Sequence, residues 1–365
     1  MRFANEIRSV RPFPRISWPK FFRCLLLGAL VGIALTLIHA SGARSQSVQS
    51  ASGLTIVLPP RVMAGHPATL AILGADGKLA VGVRVDLSDG QSVTTDRTGR
   101  ALFDARATGD YVLARSSGAL AAALIDPAVA ASEPTATTLP TFVSIHDRFW
   151  ICGAGLRGDA DSNEVKINGQ PALVMAASPI CLVALPPPDA RPGPAAISIE
   201  APGVQSSAMT TLVSLEFESP KPALKPGEKG QLTVQAQGSD KKLPIVIRNE
   251  SPTVLKFVRG DVQELVTSGG SPNFVAIRVQ AITSGAFSFS ARVLQAADTL
   301  SADRYLRAAT PLAPKESRRE VSQLTRRLAS HSHDAHKVRA KLDKLASGTG
   351  EGDFRALLDA ARAAL

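Results

Sequence analysis

Asn168-Gly169 sits between Val165-Lys166-Ile167 and Ala172-Leu173-Val174, and this arrangement restricts the chain more than any other stretch. Apolar and polar residues alternate up to the dipeptide and resume after it. Asn-Gly is the strongest short hairpin signal, because both central residues of a type I′ turn need φ > 0. The neighbouring sequence repeats the pattern. An apolar run through Trp150, Ile151 and Cys152 ends at Gly153 and Gly155. Cys181 to Leu185 follows Ser178-Pro179 and stops at Pro186, and Pro192-Gly193 turns the chain before Ala196-Ile197-Ser198-Ile199. Thr211 to Leu215 closes the series. Short strands at regular spacing, punctuated by Gly and Pro, predict a small β-sandwich over 140–214.

The whole chain has 365 residues, too many for one such sandwich, so its length allows two or three domains. Aromatic residues make up only 5% of it, against 28 Gly and 25 Pro, which fits several short-stranded modules better than one large enzyme core.

Residues 140–214 resemble the IPT/TIG family of immunoglobulin-like domains. The likeness lies in Ile151-x-Gly153-x-Gly155-Leu156, Val165-x-Ile167-Asn168-Gly169-x-x-Ala172, Ser178-Pro179 before an alternating strand, and Pro192-Gly193. Leu156 stands where the family more often has Phe. The resemblance implies a fold and no particular activity. In some transcription factors such domains contact DNA through loops, but no basic stretch here is interleaved with aromatics, and nucleic acid is not an expected partner.

Residues 54–126 alternate in the same way. They resemble bacterial Ig-like and transthyretin-like modules through Val83-x-Val85-x-Leu87-x-Asp89-Gly90, Thr95-Asp96-x-x-Gly99-x-Ala101-x-Phe103 and Gly109-x-Tyr111-x-Leu113. Pro127 to Pro140 is rich in Ala, Thr and Pro, and reads as a linker over 127–139. Residues 215–295 continue the alternation and resemble prokaryotic Ig-like folds in general. The expected fold is therefore mainly β, with tandem immunoglobulin-like sandwiches and a C-terminal α-helical hairpin over 298–365.

That helical segment is marked by a change of period. Ser317-x-x-Glu320 reads as a capping box, and Val321, Leu324, Leu328, His331, Ala335, Val338, Leu342 and Leu345 then recur at helical spacing as one long helix. A second helix carries Phe354, Leu357, Leu358 and Ala361. Two readings are open: a coiled-coil seam for self-association, or a hairpin folded on itself or on the third sandwich.

At the other end, residues 1–43 are basic and then apolar from Cys24 to Ala40. Ser41-Gly42-Ala43 gives a small-x-small site, with cleavage between Ala43 and Arg44 and a flexible lead-in over 44–53. The expectation is an exported protein, periplasmic, cell-surface or extracellular. The alternative is a membrane anchor, if the leader stays attached. Five of the ten net positive charges belong to this leader (Arg2, Arg8, Arg11, Arg15, Lys20 and Arg23 against Glu6), so the remainder is modestly basic.

Candidates for chemistry are few. Cys152 and Cys181 are the two cysteines outside the leader, and they read either as a disulfide or as two buried thiols. Asp86, Asp89, Asp96 and Asp104 could be imagined around calcium, but Asp-Gly and Asp-x-x-Gly are ordinary turn sequences, and these lie at separate turns. His331, His333 and His336 form the sole histidine cluster, with His331 turned to the apolar seam and away from the other two. No Gly-x-Ser-x-Gly elbow, Walker loop, dinucleotide fingerprint or His-Glu-x-x-His occurs. The sequence thus predicts no catalytic, cofactor or metal residues. It points to a non-enzymatic binding, adhesion or scaffolding protein of the bacterial envelope with a protein or glycan partner. The alternative is an accessory subunit of a carbohydrate-active or secretion assembly, docked through its C-terminal helices.

Overall fold

The computed structural model describes residues 53–106, 109–128, 139–218, 224–330, 334–350 and 352–365. The expected leader, its expected Ala43/Arg44 cleavage site, most of the expected lead-in and linker, and His331 and His333 lie outside the described residues. Among the described residues no helix is long and apolar enough to cross a membrane.

Alternating burial builds the first sandwich. One sheet runs Arg61–Met63, Ala119–Asp126, Tyr111–Ser116, Arg84–Leu87 and Ser92–Thr94 in spatial order. Facing it are Thr55–Val57, Pro67–Leu73 and Arg100–Asp104. Leu70, Ile72, Val85, Phe103, Val112 and Ala123 fill the space between.

The second sheet does not stop at the module edge. Thr69 on Pro67–Leu73 pairs with Ala177 on Leu173–Ala177, and the sheet continues through Cys181–Leu185 to Phe149–Cys152. Those three strands form one wall of the second sandwich. The other wall is Gln170–Pro171, Glu164–Ile167, Gly193–Ala201 and Val204–Glu218, with Phe142–Ser144 running parallel to the last. Asn168 (φ 50) and Gly169 (φ 80) form the turn that their dipeptide demands, with Ile167 opposite Gln170. Between the walls lie Ile151, Leu182, Ile197, Ile199 and Leu212.

Val204–Glu218 is 15 residues long and serves two modules. Val204 to Leu212 pair with Gly193–Ala201, while Ser214 to Glu218 pair with Lys229–Gln237 of the third sandwich. That sheet is completed by Phe274–Ala281 and Leu255–Phe257. Against it pack Val262–Val266, Pro244–Asn249 and Phe289–Val293 around Leu232, Val234, Ile245, Ile247 and Phe257.

The chain is therefore mainly β, with immunoglobulin-like sandwiches in tandem followed by helices. The helical part is larger than a hairpin: α1 Thr299–Ala309, α2 Lys315–Ser330, α3 Ala335–Ser347 and α4 Asp353–Ala364. Asp298 caps α1 by accepting from the Ser301 amide at 3.0 Å and the Ser301 hydroxyl at 2.6 Å. α2 begins at Lys315, directly after Pro314, so Ser317 lies inside the helix and is not its cap. The expected single long helix is two helices with a corner between them. At that corner Asp334 forgoes a capping bond and pairs with Arg327 at 2.9 Å and Lys337 at 2.8 Å.

The apolar seam also faces an unexpected partner. Val321, Leu324, Leu328, Val338 and Leu342 are 0–3% exposed and share one core with α1, α4 and the outer face of the first sandwich. In Ala119–Asp126 the odd-numbered Ala119, Ala123 and Ile125 point into the sandwich, while Leu120, Ala122 and Leu124 lie under the helices. Tyr305 Oη donates to the Pro60 carbonyl at 2.8 Å, Arg304 pairs with Asp126, and Arg115 pairs with Asp353 at 2.6 Å. The seam is thus spent inside the chain, which rules it out as a coiled-coil surface. A smaller set of contacts reaches the third sandwich. Asp343 of α3 binds Arg362 of α4 at 2.7 Å and Arg248 at 3.2 Å, and Arg339 meets Glu264 at 3.3 Å.

Candidate functional site

The groove with the best-defined construction lies at one end of the third sandwich, where two turns meet. Strand Lys229–Gln237 leaves through Gly238-Ser239-Asp240, and strand Phe274–Ala281 enters through Ser268-Gly269-Gly270-Ser271-Pro272. Asn273 joins the two turns. It is 3% exposed, its Oδ1 accepts from the Gly269 amide at 2.8 Å, and its Nδ2 donates to the Ser239 and Lys241 carbonyls at 2.9 and 2.7 Å. Gly270 N donates to the Asp240 carbonyl at 2.7 Å. Gly238, at φ 92, is pressed against the second sandwich: a Cβ there would lie 2.2 Å from the Leu212 carbonyl oxygen. Both rims are therefore held by hydrogen bonds from the Asn273 side chain and the backbone, with an open groove of about 360 Å³ between them.

Its lining is polar and short. Gln235, Gln237, Ser239, Asp240 and Ser271 contribute, and no His, Cys, Lys or Arg is among the lining residues. Beside the groove a row crosses the outer face of the sheet in register, Glu216 opposite Gln235 and Gln235 opposite Phe274. Gln237 Nε2 donates to Glu216 Oε2 at 2.8 Å. The Phe274 ring is 40% exposed at the end of that row. Amides and hydroxyls that donate and accept, next to an apolar ring face, suit an uncharged polar ligand that hydrogen-bonds along its edges and stacks on its faces.

The residues singled out from sequence lie elsewhere. Cys152 and Cys181 are cross-strand partners, disulfide-bonded at 2.07 Å between Phe149–Cys152 and Cys181–Leu185. The four aspartates do not converge. Asp86 binds Arg84 and Ser92, Asp89 accepts from the Gln91 amide at 3.0 Å, and Asp96 accepts from the Thr98 amide at 2.8 Å. The Asp104 backbone carbonyl accepts from Gln91 Nε2 at 2.6 Å. The bond from Ser92, and then that from Arg84, holds the Asp86 carboxyl below its ordinary value, and the bond to the Thr98 side chain does the same for Asp96. His336 is exposed on the first turn of α3.

Sequence reasoning missed the groove. The available signal was the pair of Gly/Ser turns, 237–240 and 268–272, at the ends of two strands that become neighbours.

No family model matches this sequence, and no curated protein does. Among solved structures the chain is similar to the N-terminal four Ig domains of Dscam1 isoform 6.44, at 12% identity over 64% of this chain and 73% of that one, with a TM-score of 0.21. It is similar to domains A168–A170 of titin at 11% identity, covering 64% and 89%, with a TM-score of 0.19. It is also similar to SGBP-B of the Bacteroides ovatus mixed-linkage glucan utilization locus, solved with a mixed-linkage heptasaccharide, at 11% identity, covering 68% and 74%, with a TM-score of 0.22. These likenesses carry no argument about what this chain binds.

Proposed function

We propose that this is an exported, non-enzymatic binding protein of the bacterial envelope, and that its third sandwich holds a neutral glycan strand. The observation that carries the reading is the groove: fixed rims, a lining of amides, hydroxyls and one carboxylate, and the Phe274 ring beside it. Sugar rings offer hydroxyls on their edges and C–H groups on their faces, which match that lining and that ring. The lining supplies no nucleophile held by a base, so the arrangement favours holding a ligand over transforming it. Sandwiches that share a sheet and a strand, with helices reaching from the first to the third, support a scaffolding role in which the groove is presented from a fixed frame.

Isothermal titration with neutral oligosaccharides tests the reading. Phe274→Ala and Gln235→Ala should each weaken binding about tenfold, the loss of one stacking or hydrogen-bonding contact of about 1.4 kcal/mol. If no neutral oligosaccharide binds, or binding survives the double substitution, the glycan reading fails. Export is tested separately, by fractionation with mass spectrometry of the amino terminus. A soluble chain beginning at Arg44 is expected, and an intact Met1 in the membrane fraction would make it a tethered protein.

A further inference from the structure

Helices α2 and α3 pack on one another, and each turns one face inward. On α2 the inward residues are Val321, Leu324 and Leu328; on α3 they are Val338, Leu342 and Ala346. Helical spacing puts Lys315, Arg319 and Arg326 along the opposite side of α2, and Lys337, Lys341 and Lys344 along the opposite side of α3. All six are exposed, as is Arg318.

This face is short of negative charge. Lys337 is paired with Asp334, but among the described residues Lys315, Arg318, Arg319, Arg326, Lys341 and Lys344 have no ion-pair partner. Glu316 and Glu320 are the carboxylates of α2, and Asp343 of α3 is engaged by Arg362 and Arg248. The inward side packs on α1, α4 and the core they share with the first sandwich, so the outer side is the surface these two helices present.

At the corner that leads into α2, Pro311 and Leu312 are exposed, Leu312 by 41%. Arg318 Nη2 reaches back to the Pro311 and Ala313 carbonyls at 3.4 Å, which holds this corner beside the cations. A row of uncompensated cations attracts an anionic lipid surface, and an exposed leucine beside it can enter the acyl boundary. A nucleic acid would use the cations and leave Leu312 in water.

We propose that the outer face of α2 and α3 docks on an anionic phospholipid bilayer, with Lys315, Arg318, Arg319, Arg326, Lys341 and Lys344 on the headgroups and Leu312 as the inserted tip. The site is independent of the glycan groove and leaves it free.

Co-sedimentation of the full chain with vesicles tests it. Phosphatidylcholine vesicles containing 30% phosphatidylglycerol are compared with pure phosphatidylcholine. Wild type and variants share the same basic and apolar leader, so the readout is the part of the anionic-lipid increment that the variants lose. Each cation near the surface contributes roughly fivefold to partitioning. The quadruple variant Arg319→Gln, Arg326→Gln, Lys341→Gln, Lys344→Gln should therefore lose the increment by several hundredfold, with an unchanged circular dichroism spectrum. Salt at 0.5 M should abolish it. Leu312→Ser should weaken binding to anionic vesicles without changing its salt dependence. Equal binding to both vesicles by the wild-type chain, an increment retained in the quadruple variant, or tighter binding to duplex DNA that outcompetes the vesicles would each overturn the proposal.

Discussion

Gly158 has no room for a side chain, since a Cβ there would lie 1.8 Å from the Pro67 carbonyl oxygen, a backbone atom that cannot step aside. Nearby, Thr69 Oγ1 donates to the Gly158 carbonyl at 2.7 Å and accepts from the Ala160 amide at 3.1 Å. Gly158→Ala should cost about 1–3 kcal/mol through overpacking at the junction of the first two sandwiches, read as a lower midpoint in urea. Asn273 makes three buried hydrogen bonds at the groove, so Asn273→Ala should cost about 2–3 kcal/mol and loosen both turns, visible as faster amide exchange at Gly269 and Gly270. Replacing both Cys152 and Cys181 by Ser opens a link of sequence separation 29. The chain-entropy model puts that loss at roughly 3.5 kcal/mol in denaturant unfolding. At the corner of α2 and α3, Lys337 and then Arg327 hold the Asp334 carboxyl well below the usual range. A depressed carboxylate stabilises the fold above its unfolded value near 3.8 and loses that contribution as acid protonates it. The melting difference between wild type and Asp334→Asn should therefore stay constant from pH 5 to 8 and shrink below pH 4. A change within pH 5–8 would overturn this assignment.

At the scale of elements, the strands were legible because burial here alternates with period two and the turns carry Gly, Pro and Asn. What could not be read was which strands pair across modules. Val204–Glu218 looks like the last strand of one sandwich and the first of the next, and nothing local says that it is both. The pairing of Thr69 with Ala177 is equally silent, since it depends on two strands more than a hundred residues apart meeting end to end. The helical region was legible in its period and not in its partner. Ala302, Tyr305, Leu306 and Ala309 repeat at i, i+3, i+4, i+7, a pattern present in the sequence that marks α1, with Asp298 as its cap. The destination of the seam was hidden because Leu113, Leu120 and Leu124 look like ordinary strand residues until both faces of their sheet are seen to be covered. Leu324→Ala should cost about 2–5 kcal/mol, and should destabilise the first sandwich along with the helices, as judged by coincident melting of strand and helix signals.

For the molecule as a whole, the helices form a third layer on the first sandwich. A chain ending at Ala296 should bind a hydrophobic dye and aggregate, because it bares Leu113, Leu124 and their neighbours in one patch. If that truncated chain is soluble and monomeric, the helices are an appendage and not a layer. The closing contact runs between strands laid down early and the last dozen residues, with the Ala364 carbonyl accepting from the Asp298 amide at 2.7 Å to seal the helical unit. Its consequence is one of timing. During synthesis the outer face of the first sandwich stays uncovered until α4 has emerged, so that shared core cannot close in the order of translation. Nascent chains halted before Asp353 should accordingly stay open to protease throughout residues 54–126, and become resistant only when α4 is added.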